Sequence, residues 1–265
     1  MKKLFLISLL ITFTLLSCKI TDLSNPVDSN YPTVVKKLSA TTLSELRSSF
    51  AQKNKYLTSS LNEYGFCSLL EGNVAVATPE LLPMPSQSEA IEIVKTFVSQ
   101  NSTSTGVKNA ADLTFSEIFS GSPFWDGASS LVLKSANQRI DTVEVINSQI
   151  VFQLKSRELV TCQGNWYATV YIPSKFNINR ENAKAALLNY VVWHSTIAGV
   201  PYSETITTSS LNASTTRLVI YPLTIGNQIE LHVTWQINIP GPVYYILNVD
   251  VMTGEIVSKQ PTIIS

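Results

Sequence analysis

The chain has 265 residues, with 19 Lys and Arg against 19 Asp and Glu, so its net charge is zero. Charged residues make up only 14% of it, and Ser, Thr and Asn must supply much of the polar surface. Phosphate binding needs a basic face, so this balance excludes a nucleic-acid partner. The length suits one large domain or two small ones.

The first element is an export signal. Met1-Lys2-Lys3 is a short basic head, and Leu4 to Leu16 is apolar apart from Ser8, Thr12 and Thr14. That core is too short to span a bilayer, which takes roughly 20 apolar residues, and fits a secretory signal instead. It ends Leu15-Leu16-Ser17-Cys18. An aliphatic residue, then a small residue, then cysteine resembles the bacterial lipobox. The resemblance implies cleavage before Cys18, a diacylglycerol on its thiol and an acyl chain such as palmitate on its new amine. Two or more chains hold a protein stably on a membrane. The expected location is the bacterial cell envelope, at the outer membrane or cell surface if the cell has one. Loss of Lys2 and Lys3 then turns the charge slightly acidic.

Residues 18–32 are polar, with Asn25-Pro26 and Tyr31-Pro32, and read as a lipidated tether. Residues 33–85 read as an N-terminal helix and strand extension. Its helix spans Thr41 to Tyr56, capped by Thr42 or Ser44, with Leu43, Leu46 and Phe50 on one face. Gly65 to Ala77 is strand-like. Ser86-Gln87-Ser88-Glu89 is a capping box, and Ile91, Val94, Phe97 and Val98 follow at helical spacing. Strands follow at Leu113–Phe119, Ser130–Lys134, Thr142–Ile146, Ile150–Lys155 and Leu159–Cys162, with a turn at Asn147-Ser148.

Asn179 caps a further helix with the stripe Ala183, Ala186, Leu187, Tyr190 and Val191. His194 continues that stripe. Leu218–Leu223 is a strand, and Ile229 to Ile239 alternates, with Ile229, Leu231, Val233, Trp235, Ile237 and Ile239 inward. Glu230, His232, Thr234, Gln236 and Asn238 face the other way. After Gly241-Pro242 the chain returns through Val243–Val251, turns at Met252-Thr253-Gly254 and ends in Glu255–Ser258. The fold class is α+β, in two related units, 86–174 and 175–265, each a helix packed on an antiparallel β-sheet.

The stretch Leu218-Val219-Ile220-Tyr221-Pro222 through Trp235 to Asn248-Val249-Asp250-Val251-Met252-Thr253-Gly254-Glu255-Ile256-Val257 resembles a PepSY domain, a cystatin-like helix-on-sheet module. Asp141 to Gly164 is similar to the fungalysin/thermolysin propeptide module. These stand in this order in the propeptides of thermolysin-like metalloproteases. No HExxH helix occurs, so the resemblance is to the pro-region without its protease. It implies a non-catalytic module that binds or inhibits a protease or another envelope protein.

The residues themselves offer little chemistry. No GxSxG elbow and no phosphate-cradling glycine loop is present, so no catalytic residue is assigned. No CxxC spacing or histidine cluster exists, so neither a metal nor a cofactor is expected. Asp250 fits a role in bonding turn amides. His232 fits a surface position. With Cys18 lipidated, Cys67 and Cys162 remain, either as a disulfide or as two buried thiols. Trp125, Trp166 and Tyr167 look like exposed loop aromatics. They carry the alternative reading, a surface lipoprotein that binds glycans or envelope polymers.

Overall fold

Short polar residues start the helices, and alternation sets the strands. The computed structural model describes residues 29–69, 83–120, 130–197, 200–241 and 244–262. Cys18, the signal and Trp125 lie outside them.

In chain order come β1 (Thr33–Lys36), α1 (Ala40–Lys53), β2 (Ser59–Leu61), β3 (Cys67–Leu69), α2 (Gln87–Gln100) and α3 (Ser102–Thr105). A 3-10 turn at Ala110–Asp112 leads to β4 (Phe115–Ser120), β5 (Leu131–Ser135), β6 (Arg139–Ile140), β7 (Val143–Val145), β8 (Ile150–Lys155) and β9 (Glu158–Gly164). The rest is α4 (Arg180–Ala186), β10 (Val191–Ile197), β11 (Val200–Thr205), α5 (Thr208–Ala213), β12 (Thr215–Ile225), β13 (Gln228–Ile239), β14 (Tyr245–Asp250) and β15 (Ile256–Pro261).

The chain is α+β. A four-stranded sheet runs β4-β5-β8-β9, and a seven-stranded one runs β15-β14-β13-β12-β7-β6 with β1 added on β13. Neighbours are antiparallel except β7 and β12. The hairpins β2-β3 and β10-β11 form two separate two-stranded sheets.

Both expected caps of α2 are present: Ser86 Oγ accepts from Glu89 N at 3.3 Å, and Ser86 N donates to Glu89 Oε2 at 2.9 Å. α1 starts earlier than expected, because Ser39 Oγ accepts from Thr42 N at 3.1 Å. The inner stripe of α2, Ala90, Val94, Phe97 and Val98, shares a core with Leu133, Ile150, Phe152 and Leu154 of the four-stranded sheet. The inner face of β13 serves two further cores. Ile229, Leu231 and Val233 pack with Tyr31, Val145 and Tyr167, while Ile237 and Ile239 pack with Ala183 of α4, Leu187 at its C-cap and Leu211 of α5.

Three expectations change. The helix at 180 stops at Ala186, because Asn189 takes a left-handed conformation at φ 64° that no continuing helix allows. His194 therefore belongs to β10 and not to a helical stripe. The hairpin β6-β7 (139–145), expected in the first unit, joins the seven-stranded sheet through β7 on β12. Residues 33–36, expected in an N-terminal extension, also join that sheet as β1.

Phe152 is fully buried between the Phe97 and Phe115 rings, each in edge contact at 6.4 Å. Phe152→Ala is expected to cost about 3–5 kcal/mol, and Ser86→Ala about 1 kcal/mol. Urea unfolding checks both: the midpoint falls and the slope stays constant.

Candidate functional site

Chain topology leaves a gap beside β13. β1 pairs with its first part, Thr33 opposite Leu231, and β14 pairs with its second, Asp250 opposite Thr234. The two strands lie end to end along one edge of β13. Between them the backbone of Val233 needs partners. Its carbonyl accepts from Val251 N at 3.0 Å, and its N–H donates to the hydroxyl of Tyr31 at 3.0 Å.

Tyr31 then donates to Asp250 Oδ2 at 2.6 Å. The same oxygen receives His232 Nδ1 at 2.7 Å. Asp250 Oδ1 accepts from Met252 N at 2.7 Å and Thr253 N at 2.9 Å. Four donors therefore occupy the carboxylate's four lone-pair positions. The expected role of Asp250 at the turn is present, and Gly254 closes that turn at φ 74°. His232 is not on the open surface. Its side chain is 12% exposed, with Nε2 3.1 Å from Glu230 Oε2 on the side opposite Asp250.

The electrostatics follow from this packing. Burial opposes the charge on Asp250, but the bonds from His232, Tyr31, Thr253 and Met252 outweigh it and hold its pKa below the usual carboxylate range. Burial likewise opposes a charged His232 ring, but Asp250 and Glu230 outweigh it and raise the pKa above the ordinary value. The doubly protonated ring donates to both carboxylates at once, whereas a neutral ring can donate to only one. Burial first, and then the Asp250 carboxylate, push the Tyr31 hydroxyl well up, so it stays a donor.

The aromatic residues fall elsewhere. Trp166 and Tyr167 are 5% and 3% exposed, which corrects the expectation of exposed ligand contacts. The extended chain sends Trp166 into the core under α2 and Tyr167 into the core under β13. Gln138 fixes the crossing: its Oε1 accepts from Tyr167 N at 2.9 Å and its Nε2 donates to Tyr167 O at 2.8 Å. Gly106 packs so tightly on the Trp166 carbonyl that a Cβ there would lie 1.9 Å from it. Burial raises the Tyr167 hydroxyl to about 12. Trp125 and Cys18 lie outside the described residues.

Cys67 and Cys162 are both buried free thiols, brought together in one core. Among the described residues, no group of three or more His, Cys, Asp or Glu is placed to hold a metal ion. Among the same residues, no helix is long and apolar enough to cross a membrane.

No family model matches the chain, and no curated protein matches it. A solved structure, the Bacillus megaterium YpeB C-terminal domain, is similar at 13% identity and a TM-score of 0.30, over 85% of this chain and 98% of that one. That likeness is too slight to bear on fold or function.

Sequence reasoning placed His232 and Asp250 but missed their contact and missed Tyr31. The readable signal was the hairpin register. With Ile239 opposite Tyr245, Asp250 stands opposite Thr234, on the face and in the diagonal reach of His232.

Asp250→Asn places an amide against two donors in the interior and is expected to cost roughly 3–5 kcal/mol by urea unfolding. The pH dependence has a definite sign. The His232 contribution is full below about pH 6.5 and is lost as pH rises through its raised pKa. The Asp250 contribution is present above about pH 3.9 and is lost as pH falls through its lowered pKa. The melting temperature is therefore expected to peak between these limits, and His232→Gln to flatten the alkaline decline.

Proposed function

We propose that this chain is an extracytoplasmic lipoprotein, anchored through lipid on Cys18, whose body is a non-catalytic binding or protease-inhibitory module of the propeptide kind. The observation that carries the non-catalytic part is the saturation of Asp250. The most buried acid of the seam spends every lone pair on Tyr31, His232 and the amides of Met252 and Thr253. A general acid or base needs a free face toward a substrate, and these contacts take it up.

Binding by strand addition suits the architecture. In the described residues β15 is the last strand of its sheet and β4 the last of the other, so each offers a backbone edge to an extended segment. The two-unit, helix-on-sheet reading of the PepSY kind belongs to this proposal, with α2 on the four-stranded sheet and α4 on the seven-stranded one. The glycan reading loses support, since Trp166 and Tyr167 are core residues.

Two measurements test the proposal. Metabolic labelling with a palmitate analogue should mark the protein, and Cys18→Ser should abolish the label and release the chain from membranes; labelling that survives the substitution contradicts the anchor. Added to a thermolysin-like metalloprotease, the protein should slow peptide hydrolysis, and deletion of residues 260–265 should weaken that effect. An unchanged hydrolysis rate, or a hydrolase activity of the protein itself that His232→Ala removes, contradicts the module reading.

A further inference from the structure

Cys67 and Cys162 are 3% and 0% exposed and share one apolar core. Cys67 stands on β3 opposite Leu61 of β2, and Cys162 on β9 opposite Phe152 of β8. The β2-β3 hairpin is laced to β9 at this point. Thr58 donates to the Val160 carbonyl through its N–H at 2.8 Å and its hydroxyl at 2.7 Å. Cys162 N donates to Ser59 Oγ at 2.8 Å. The two thiols are buried in the same core, and Cys67 Sγ lies 3.6 Å from the Ser104 carbonyl.

The neighbours are aliphatic and aromatic side chains, so neither thiol has a cation that would stabilise a reactive thiolate. Backbone and side-chain bonds from Thr58 and Ser59 hold the β2-β3 hairpin against β9 beside Cys162.

We propose that Cys67 and Cys162 form a disulfide that staples the β2-β3 hairpin to β9. The oxidant is a small-molecule or protein disulfide. One cysteine thiolate attacks it and releases a thiolate, giving a mixed disulfide. The second cysteine thiolate displaces the remaining half. Two thiols and one disulfide become one protein disulfide and two free thiols, so electrons balance. Burial raises the Cys162 thiol and keeps both sulfurs from solvent. The exchange therefore runs during folding or when the hairpin lifts, not on the closed native state.

The bond closes a loop of about 95 residues, a length at which restricting the unfolded chain stabilises strongly. It ties the segment ahead of α2 to the four-stranded sheet. The pairing depends on packing alone and is independent of the lipid anchor and of any protease partner.

The test uses the full chain in detergent, refolded with oxidised and reduced glutathione, then unfolded, alkylated and mapped by peptide mass. The expected result is a linked peptide joining Cys67 to Cys162, with neither alkylated. The oxidised protein should melt roughly 5–15 °C above the reduced one. Glutathione disulfide added to the folded, reduced protein should oxidise it at least about tenfold more slowly than it oxidises the refolding chain. Full alkylation of both cysteines after oxidative refolding, a link from either to Cys18, or a linked peptide with no gain in melting temperature overturns the proposal.

Discussion

Tyr31 near the N-terminal strand, His232 of β13 and the 252–254 turn meet at the carboxylate of Asp250, and the seven-stranded sheet depends on that meeting. β1 and β14 each cover part of one edge of β13 and leave Val233 between them. A single tyrosine hydroxyl, 202 residues away in sequence, accepts from Val233 N and donates a hydrogen bond to Asp250. The carboxylate also fixes the 252–254 turn through two amides and fixes His232 through its ring. Each of these donors would cost about 1–3 kcal/mol if buried without a partner. One charged group thus closes the ladder, shapes the turn and orders the N-terminal strand. When protonated, the His232 ring, which Glu230 also holds, balances its charge within the seam.

The same economy joins the two halves of the molecule. A boundary at residue 174 separates the sequence patterns but not the structure. β1 comes from before the first sheet, and β6-β7 is contributed from within the segment that builds it, yet both end in the second sheet. At the crossing, Trp166 enters one core and the next residue, Tyr167, enters the other. Gln138 gives Tyr167 the two hydrogen bonds a neighbouring strand would have given. The halves share anchors, so loosening one side of the crossing disturbs both cores.

Periodic features were legible in the sequence, and long-range ones were not. The alternation from Ile229 to Ile239 gave both the span and the buried face of β13 to within a residue. The Ser86 and Asn179 caps and the Asp250–Gly254 turn depend on residues within a few positions of one another, so local chemistry specifies them. Tyr31 carries no local sign of its role, because its partners arrive only when β1 docks. It sat in a polar stretch read as tether, yet it is 7% exposed. Trp166 and Tyr167 follow Gly164-Asn165, which resembles an exposed turn. Gly164 instead serves close packing, where a Cβ would lie 2.1 Å from the Gln149 carbonyl. His194 kept helical spacing from Tyr190, but the left-handed Asn189 had already ended the helix.

Amide hydrogen exchange at Val233 tests the seam most directly, since its N–H has the Tyr31 hydroxyl as its partner. With Tyr31 in place, this amide should exchange as slowly as those of the central ladder. In Tyr31→Phe it should exchange orders of magnitude faster, while Leu247 and Ile237 at the paired end of β13 and β14 stay protected. Equal protection of Val233 in both proteins would contradict the account, because the hydroxyl would then not be what closes the edge of β13.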